Sequence, residues 1–223
     1  MSWVEMKNKS TMQTSLIFLS SLVGSGLALC LGSNVQAAPL QGYVMQVQMT
    51  PAVCTLDPAR KKQRKCLEGY SLTITGLLPE ISEKDCSTRS SANLSPLQAK
   101  VVARVMPDEN ARVQLWRSIG GCVPMNASQY FRTIINLAER LKVPAELSSA
   151  ETRSMSATRL KQQFLRLNSG LPAGALRFNC QSSGGNAVLT NIQVCYTVGG
   201  QYKQCSTQLT SSCPASFLIK GIY

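Results

Sequence analysis

The chain contains no histidine, so proton transfer near neutral pH has to come from carboxylates, tyrosines or lysines with displaced pKa values. Three groups of residues are spaced as chemistry or binding would need. In LTITGLLPE, residues 72–80, a β-branched run enters a Gly-Leu-Leu-Pro turn and delivers Thr75, with Glu80, Glu83 and Asp85 just beyond. Threonine is a poor acid, a poor base and a weak nucleophile, so the stretch has the form of an active-site strand with an inert side chain at its tip. In LWRSIGGC, residues 115–122, Leu115 and Ile119 stand four residues apart on one helical face and make an apolar ridge with Trp116. The third group is Arg60, Lys61, Lys62, Arg64 and Lys65, a cation cluster between Cys54 and Cys66. It suits phosphates or lipid headgroups, or a solvated loop. Tyr70 and Tyr130 offer base stacking or core packing.

The elements that must position these groups follow from periodicity. GYVMQVQMT (42–50) alternates Tyr43, Met45, Val47 and Met49 against Gln46 and Gln48, a strand that Pro51 ends. A polar, basic loop is expected between Cys54 and Cys66, and a second strand in GYSLTITGLLPE. Ser95 as N-cap, Pro96 and Pro107 bracket a helix. Further helices are expected over 110–119, from Ser128 with Tyr130, Phe131, Ile134, Ile135, Ala138 and Leu141 inward, and over 156–167 with Leu160, Phe164 and Leu167 inward. Strand periodicity returns from Phe178. VLTNIQVCYTV alternates Val188, Thr190, Ile192, Val194, Tyr196 and Val198, and Gly199-Gly200 predicts a hairpin answered by YKQCSTQL. SFLIKGIY is expected as a last strand. Strands, then helices, then strands predict a single disulfide-linked α+β domain built on a central antiparallel sheet.

The N-terminus has the form of a secretory signal peptide over residues 1–37. Lys7 and Lys9 precede an apolar run, and Val35-Gln36-Ala37 reads as a cleavage site. The run is interrupted by Gly24, Ser25 and Gly26 and is short for a membrane span. No later segment is expected to cross a membrane, and a secreted monomer over 38–223 is the expectation. Removing the leader takes out two cations and one acid, moving the formal net charge from +12 to +11, an excess that favours polyanionic partners. Of nine cysteines, Cys30 lies in the leader. The other eight form an even set in a secreted chain and predict up to four bridges, with connectivity open. With no CxxC pair and no histidine, neither a metal site nor any other cofactor is expected.

Taken together, these stretches resemble the ribonuclease T-two family of secreted α+β endoribonucleases, and most of all its proteobacterial periplasmic, ribonuclease I-like branch. The family's first motif is a strand running into His-Gly-Leu-Trp-Pro; residues 74–79 here read Ile-Thr-Gly-Leu-Leu-Pro. Its second is an acidic residue, an aromatic, a spacer and Lys-His-Gly-x-Cys; LWRSIGGC occupies it. The opening strand with Cys54, the helix NASQYFRTIINLAERL, and the late FNCQSSGGNAVLTNIQVCY and CPASFLIKGIY also resemble family segments. The resemblance implies bridges Cys86–Cys122 and Cys180–Cys213. Cys54–Cys66 would close the basic loop, and Cys195 and Cys205 would face each other across the Gly199-Gly200 hairpin.

Family members cleave RNA by attack of the ribose 2′-hydroxyl on phosphorus, with histidines as base and acid. By that resemblance Thr75 and Ile119 stand at the histidine positions, Ser118 at the lysine, Leu115 at the acid and Leu78 at the tryptophan. Gly76, Leu77, Pro79, Trp116, Gly120 and Cys122 keep the family's residue type or an equivalent. The expectation is a catalytically inactive homologue that retains RNA or polyanion binding through residues 60–65. One rival is an atypical active nuclease using Glu80, Glu83, Asp85 or Tyr130. Another is an inhibitor or accessory module that binds a periplasmic protein. The sequons at Asn93 and Asn126 would matter only in a eukaryotic secretory pathway.

Overall fold

The computed structural model describes residues 39–82 and 85–222. The leader expected over 1–37, and Glu83, lie outside them. Among the described residues six strands form one sheet. In it β1 (Gly42–Met49) pairs antiparallel with β2 (Leu72–Glu80) on one side and with β5 (Asn186–Tyr196) on the other. β4 (Leu176–Ser183) pairs antiparallel with β5 through the two-residue turn Gly184-Gly185, both at positive φ, as such hairpins require. β6 (Ser216–Ile219) meets β5 in parallel at Val188–Leu218 and carries β3 (Arg153–Ser156) antiparallel on its far side.

The expected alternation holds along β1. Tyr43, Met45, Val47 and Met49 are buried in the main core, while Gln46 and Gln48 are half-buried on the opposite face. Helices cover the core side. α3 (Pro96–Val102) starts where Ser95 accepts the Gln98 N–H, and α4 (Glu109–Ile119) follows Asp108. α5 (Ala127–Arg140) opens on a capping box of Asn126 and Gln129 and buries Tyr130, Phe131, Ile134 and Leu137. α6 (Ala157–Leu167) is capped by Ser156 and buries Leu160 and Phe164.

Four disulfides pair as expected: Cys54–Cys66, Cys86–Cys122, Cys180–Cys213 and Cys195–Cys205.

Several local expectations are corrected. The segment from Pro51 to Cys66 is helical rather than a loop: α1 (Thr50–Leu56), a 3-10 turn over Pro58–Lys62, and α2 (Arg64–Leu67). Pro51 starts a helix because its missing N–H falls among the unpaired donors of the first turn. Leu167, the last residue of α6, is 48% exposed instead of inward. Val198 is equally exposed, because β5 stops at Tyr196. The answering arm of the Gly199-Gly200 turn is a single bridge, Tyr196–Tyr202, and not a strand. β3 was not expected at all; with four residues it has too little pattern to read.

Gly42 begins β1 where a Cβ would stand 2.2 Å from the carbonyl oxygen of Tyr196. That neighbour is sheet backbone and cannot swing away. Gly42→Ala is therefore expected to destabilise the fold by about 1–3 kcal/mol, the usual cost of overpacking, measured by urea unfolding; an unchanged midpoint would contradict this register.

Candidate functional site

The register between β1 and β2 shifts once. Gln46 faces Gly76 and Val47 faces Ile74, which leaves Thr75 as the extra residue of a β-bulge. The bulge turns Thr75 out to solvent between buried Ile74 and Gly76. Its hydroxyl has one hydrogen-bond partner among the described residues, the Gln46 carbonyl oxygen at 3.5 Å, the limit of a bond.

α4 brings the second group against this strand. A Cβ on Gly76 would stand 3.0 Å from Cδ1 of Leu115, so glycine lets Leu115 lie directly on the strand next to Thr75. Ile119 and Trp116 are buried beside it, and the Trp116 indole N–H donates to Ser90 Oγ at 3.0 Å. The exposed Ser118 turns its hydroxyl back on the Leu115 carbonyl at 2.8 Å. Leu115 thus lies on the strand at Gly76, next to Thr75, and Trp116 and Ile119 are the buried residues of the same helix.

The other acid–base candidates are otherwise engaged. Tyr130 is fully buried; its hydroxyl accepts the Leu77 N–H at 3.0 Å and donates to the Leu77 carbonyl at 3.1 Å. Burial raises its pKa far above the ordinary tyrosine value, so it stays protonated and internal. Glu80 is ion-paired with Lys203. Asp85 is exposed and accepts the Ser87 N–H at 2.9 Å, which lowers its pKa and holds it as a carboxylate. Tyr70, the other stacking candidate, is half-buried and donates to the Ala103 carbonyl at 3.3 Å.

Two cavities lie along β2, and Thr75 lines the smaller of them. The larger, about 310 Å³, lies on the Leu78 side and is lined by Gln41, Val44, Gln46, Leu78, Glu80 and Gln208 among others. The smaller, about 50 Å³, is bounded by Lys65, Thr73, Thr75, Met106 and Asp108.

The basic cluster divides. Lys61 and Lys62 are exposed and form no ion pair among the described residues. Arg60 pairs with Asp57 at 2.8 Å and Arg64 with Glu68 at 2.6 Å, both at the surface. Lys65 departs from the expectation of an outward cation. It is 8% exposed, donates to Gln48 Oε1 at 2.9 Å and faces Asp108 at 3.7 Å, and burial lowers its pKa. The helical turn of α2 points it inward, to the small cavity beside Thr75. Neither Gln48 nor Asp108 was singled out from sequence; Gln48 could have been, as a polar residue on the sheet face opposite the core.

No family model and no curated protein sequence matches the chain. Solved structures do. RNase MC1 from the seeds of bitter gourd superposes with a TM-score of 0.62 at 17% identity, covering 79% of this chain and 98% of that one. The self-incompatibility-associated SF11-RNase of Nicotiana alata gives 0.64 at 13%, covering 82% and 100%. RNase NT, solved in complex with 5′-AMP, gives 0.62 at 15%, covering 83% and 100%. At these identities the likeness establishes the fold: the chain has the ribonuclease T-two architecture.

Proposed function

We propose that this chain is an exported, catalytically silent relative of the ribonuclease T-two enzymes that binds RNA or a similar polyanion without cleaving it. The observation that carries this reading is the Thr75 bulge. The device that would present a catalytic side chain is intact, yet what it presents cannot exchange a proton near neutrality, and Leu115 lies against Gly76 where the family resemblance would put a carboxylate. Losing a general acid or base costs about 10²–10⁴-fold. Two such positions, with the lysine and acid positions also apolar or neutral, argue for cleavage lost on the order of 10⁵-fold or more, allowing for non-additivity. The four disulfides favour an oxidising compartment, and the periplasm is the reading that fits the leader.

The excess positive charge supports binding, as do the nucleotide complexes of two structural neighbours, a mutant RNase MC1 with 5′-UMP and RNase NT with 5′-AMP. Exposed Lys61 and Lys62 would meet phosphates. Fluorescence-anisotropy titrations with single-stranded RNA are expected to weaken steeply as salt rises. Lys61→Gln with Lys62→Gln should flatten the log–log slope by roughly 1.4, at about 0.7 per phosphate contact on single strands. Binding that is absent, or insensitive to salt, would overturn the polyanion reading.

A further inference from the structure

We infer that Arg112 forms a binding site for a small oxyanion, in a cavity separate from the Thr75 bulge. Arg112 lies on α4 and is only 6% exposed. A guanidinium carries five N–H donors. In Arg112 only Nη1 is used, donating to the carbonyl oxygens of Met106 at 2.5 Å and Pro107 at 3.3 Å. No carboxylate pairs with it among the described residues.

The remaining edge of the group, Nε with Nη2, has no hydrogen-bond partner among the described residues, and neither nitrogen is sealed from solvent. Arg112 lines a cavity of about 120 Å³ together with Ala92, Asn93, Leu94, Glu109 and Val113. With Nη1 committed to the Met106–Pro107 turn, the Nε–Nη2 edge is what is left to that cavity. Those two nitrogens form the planar fork that matches two oxygens of a carboxylate or phosphate.

The volume corresponds to about four waters at roughly 30 Å³ each. It admits a carboxylate or a tetrahedral phosphate group. A buried cation without an ionic partner is costly to hold, and a bound oxyanion supplies that partner. Clamping the Met106–Pro107 turn needs only Nη1, so a purely structural role leaves the fork unexplained. Glu109 shares the cavity wall without pairing to Arg112 and opposes the anion, which restricts binding to ligands that reach both fork nitrogens.

The test is a titration of the ¹⁵N-labelled, disulfide-intact chain with inorganic phosphate and, separately, acetate, against sodium chloride at matched ionic strength. The Arg112 Nε–H resonance is the readout. A saturable shift is expected with one or both oxyanions. Preference for phosphate would identify a tetrahedral ligand, and equal or better acetate binding a carboxylate. Arg112→Lys, which keeps the charge and loses the fork, is expected to weaken binding at least about tenfold, while Glu109→Gln should tighten it. A linear response no different from chloride, or an Arg112→Lys variant that is folded by near-ultraviolet dichroism and binds as well as the parent, would overturn the proposal.

Discussion

Replacing Trp116 by alanine is expected to lower the unfolding free energy by about 3–5 kcal/mol, the range for deleting a large buried aromatic. The indole is 2% exposed and lies 5.6 Å from the Tyr130 ring, centroid to centroid. It also reaches Ser90 through its N–H, tying α4 to the segment that Cys86–Cys122 anchors. Trp116→Phe loses part of the volume and the hydrogen bond to Ser90, whose exposed hydroxyl still meets Thr88, so it should cost about 1–3 kcal/mol, most of it from lost volume. Chemical denaturation followed by circular dichroism separates the two. Equal effects would mean that the ring does not fill the junction between α4 and α5.

The second large effect is a gain. If the scaffold around Thr75 is intact and only its chemistry is missing, reinstating the family's residue types should restore cleavage. The variant combines Thr75→His, Leu115→Glu, Ser118→Lys and Ile119→His. Each general acid–base group contributes about 10²–10⁴-fold where it is well placed, so even a poorly placed pair should raise cleavage of homopolymer RNA by ~10²-fold over the parent. Thr75 and Ser118 are exposed and tolerate the change. Ile119 is 8% exposed, so its histidine enters a partly dry site where burial lowers its pKa. With one histidine as base and the other as acid, the pH profile should be bell-shaped, and the limb set by position 119 should fall below the ordinary histidine range. A folded quadruple variant with no gain would show that the bulge no longer presents Thr75 in a productive orientation.

Much of this arrangement was legible in the residues themselves. The alternation in β1, the Ser95-Pro96 start of α3 and the apolar stripe of α5 depend on short-range periodicity and capping, which the chain carries locally. The pairing of LTITGLLPE with LWRSIGGC was legible through family resemblance, and Gly76 opposite Leu115 gives it a steric basis. The bulge at Thr75 was not legible, because a register shift is a property of two strands and depends on what Gln46 and Val47 meet across the ladder. Lys65 was misjudged for a related reason. Among five cations in a polar stretch nothing marks one as inward. Only the helical turn before Cys66, with Gln48 and Asp108 as partners from distant segments, turns it toward the site. Arg112 carried no pattern of its own, since a buried guanidinium on an exposed-looking helix shows itself only through its neighbours. Val198 followed an alternation one step past the end of β5, and Leu167 a stripe into the last, exposed residue of α6.

The most direct test of the central claim is to incubate the purified, disulfide-intact chain with homopolymer RNA and follow 2′,3′-cyclic phosphate ends by mass spectrometry. No product above a buffer control is expected, alongside RNA retained in a salt-sensitive complex. Cyclic phosphate that persists through denaturing purification and refolding, and disappears in Thr75→Val, would contradict it.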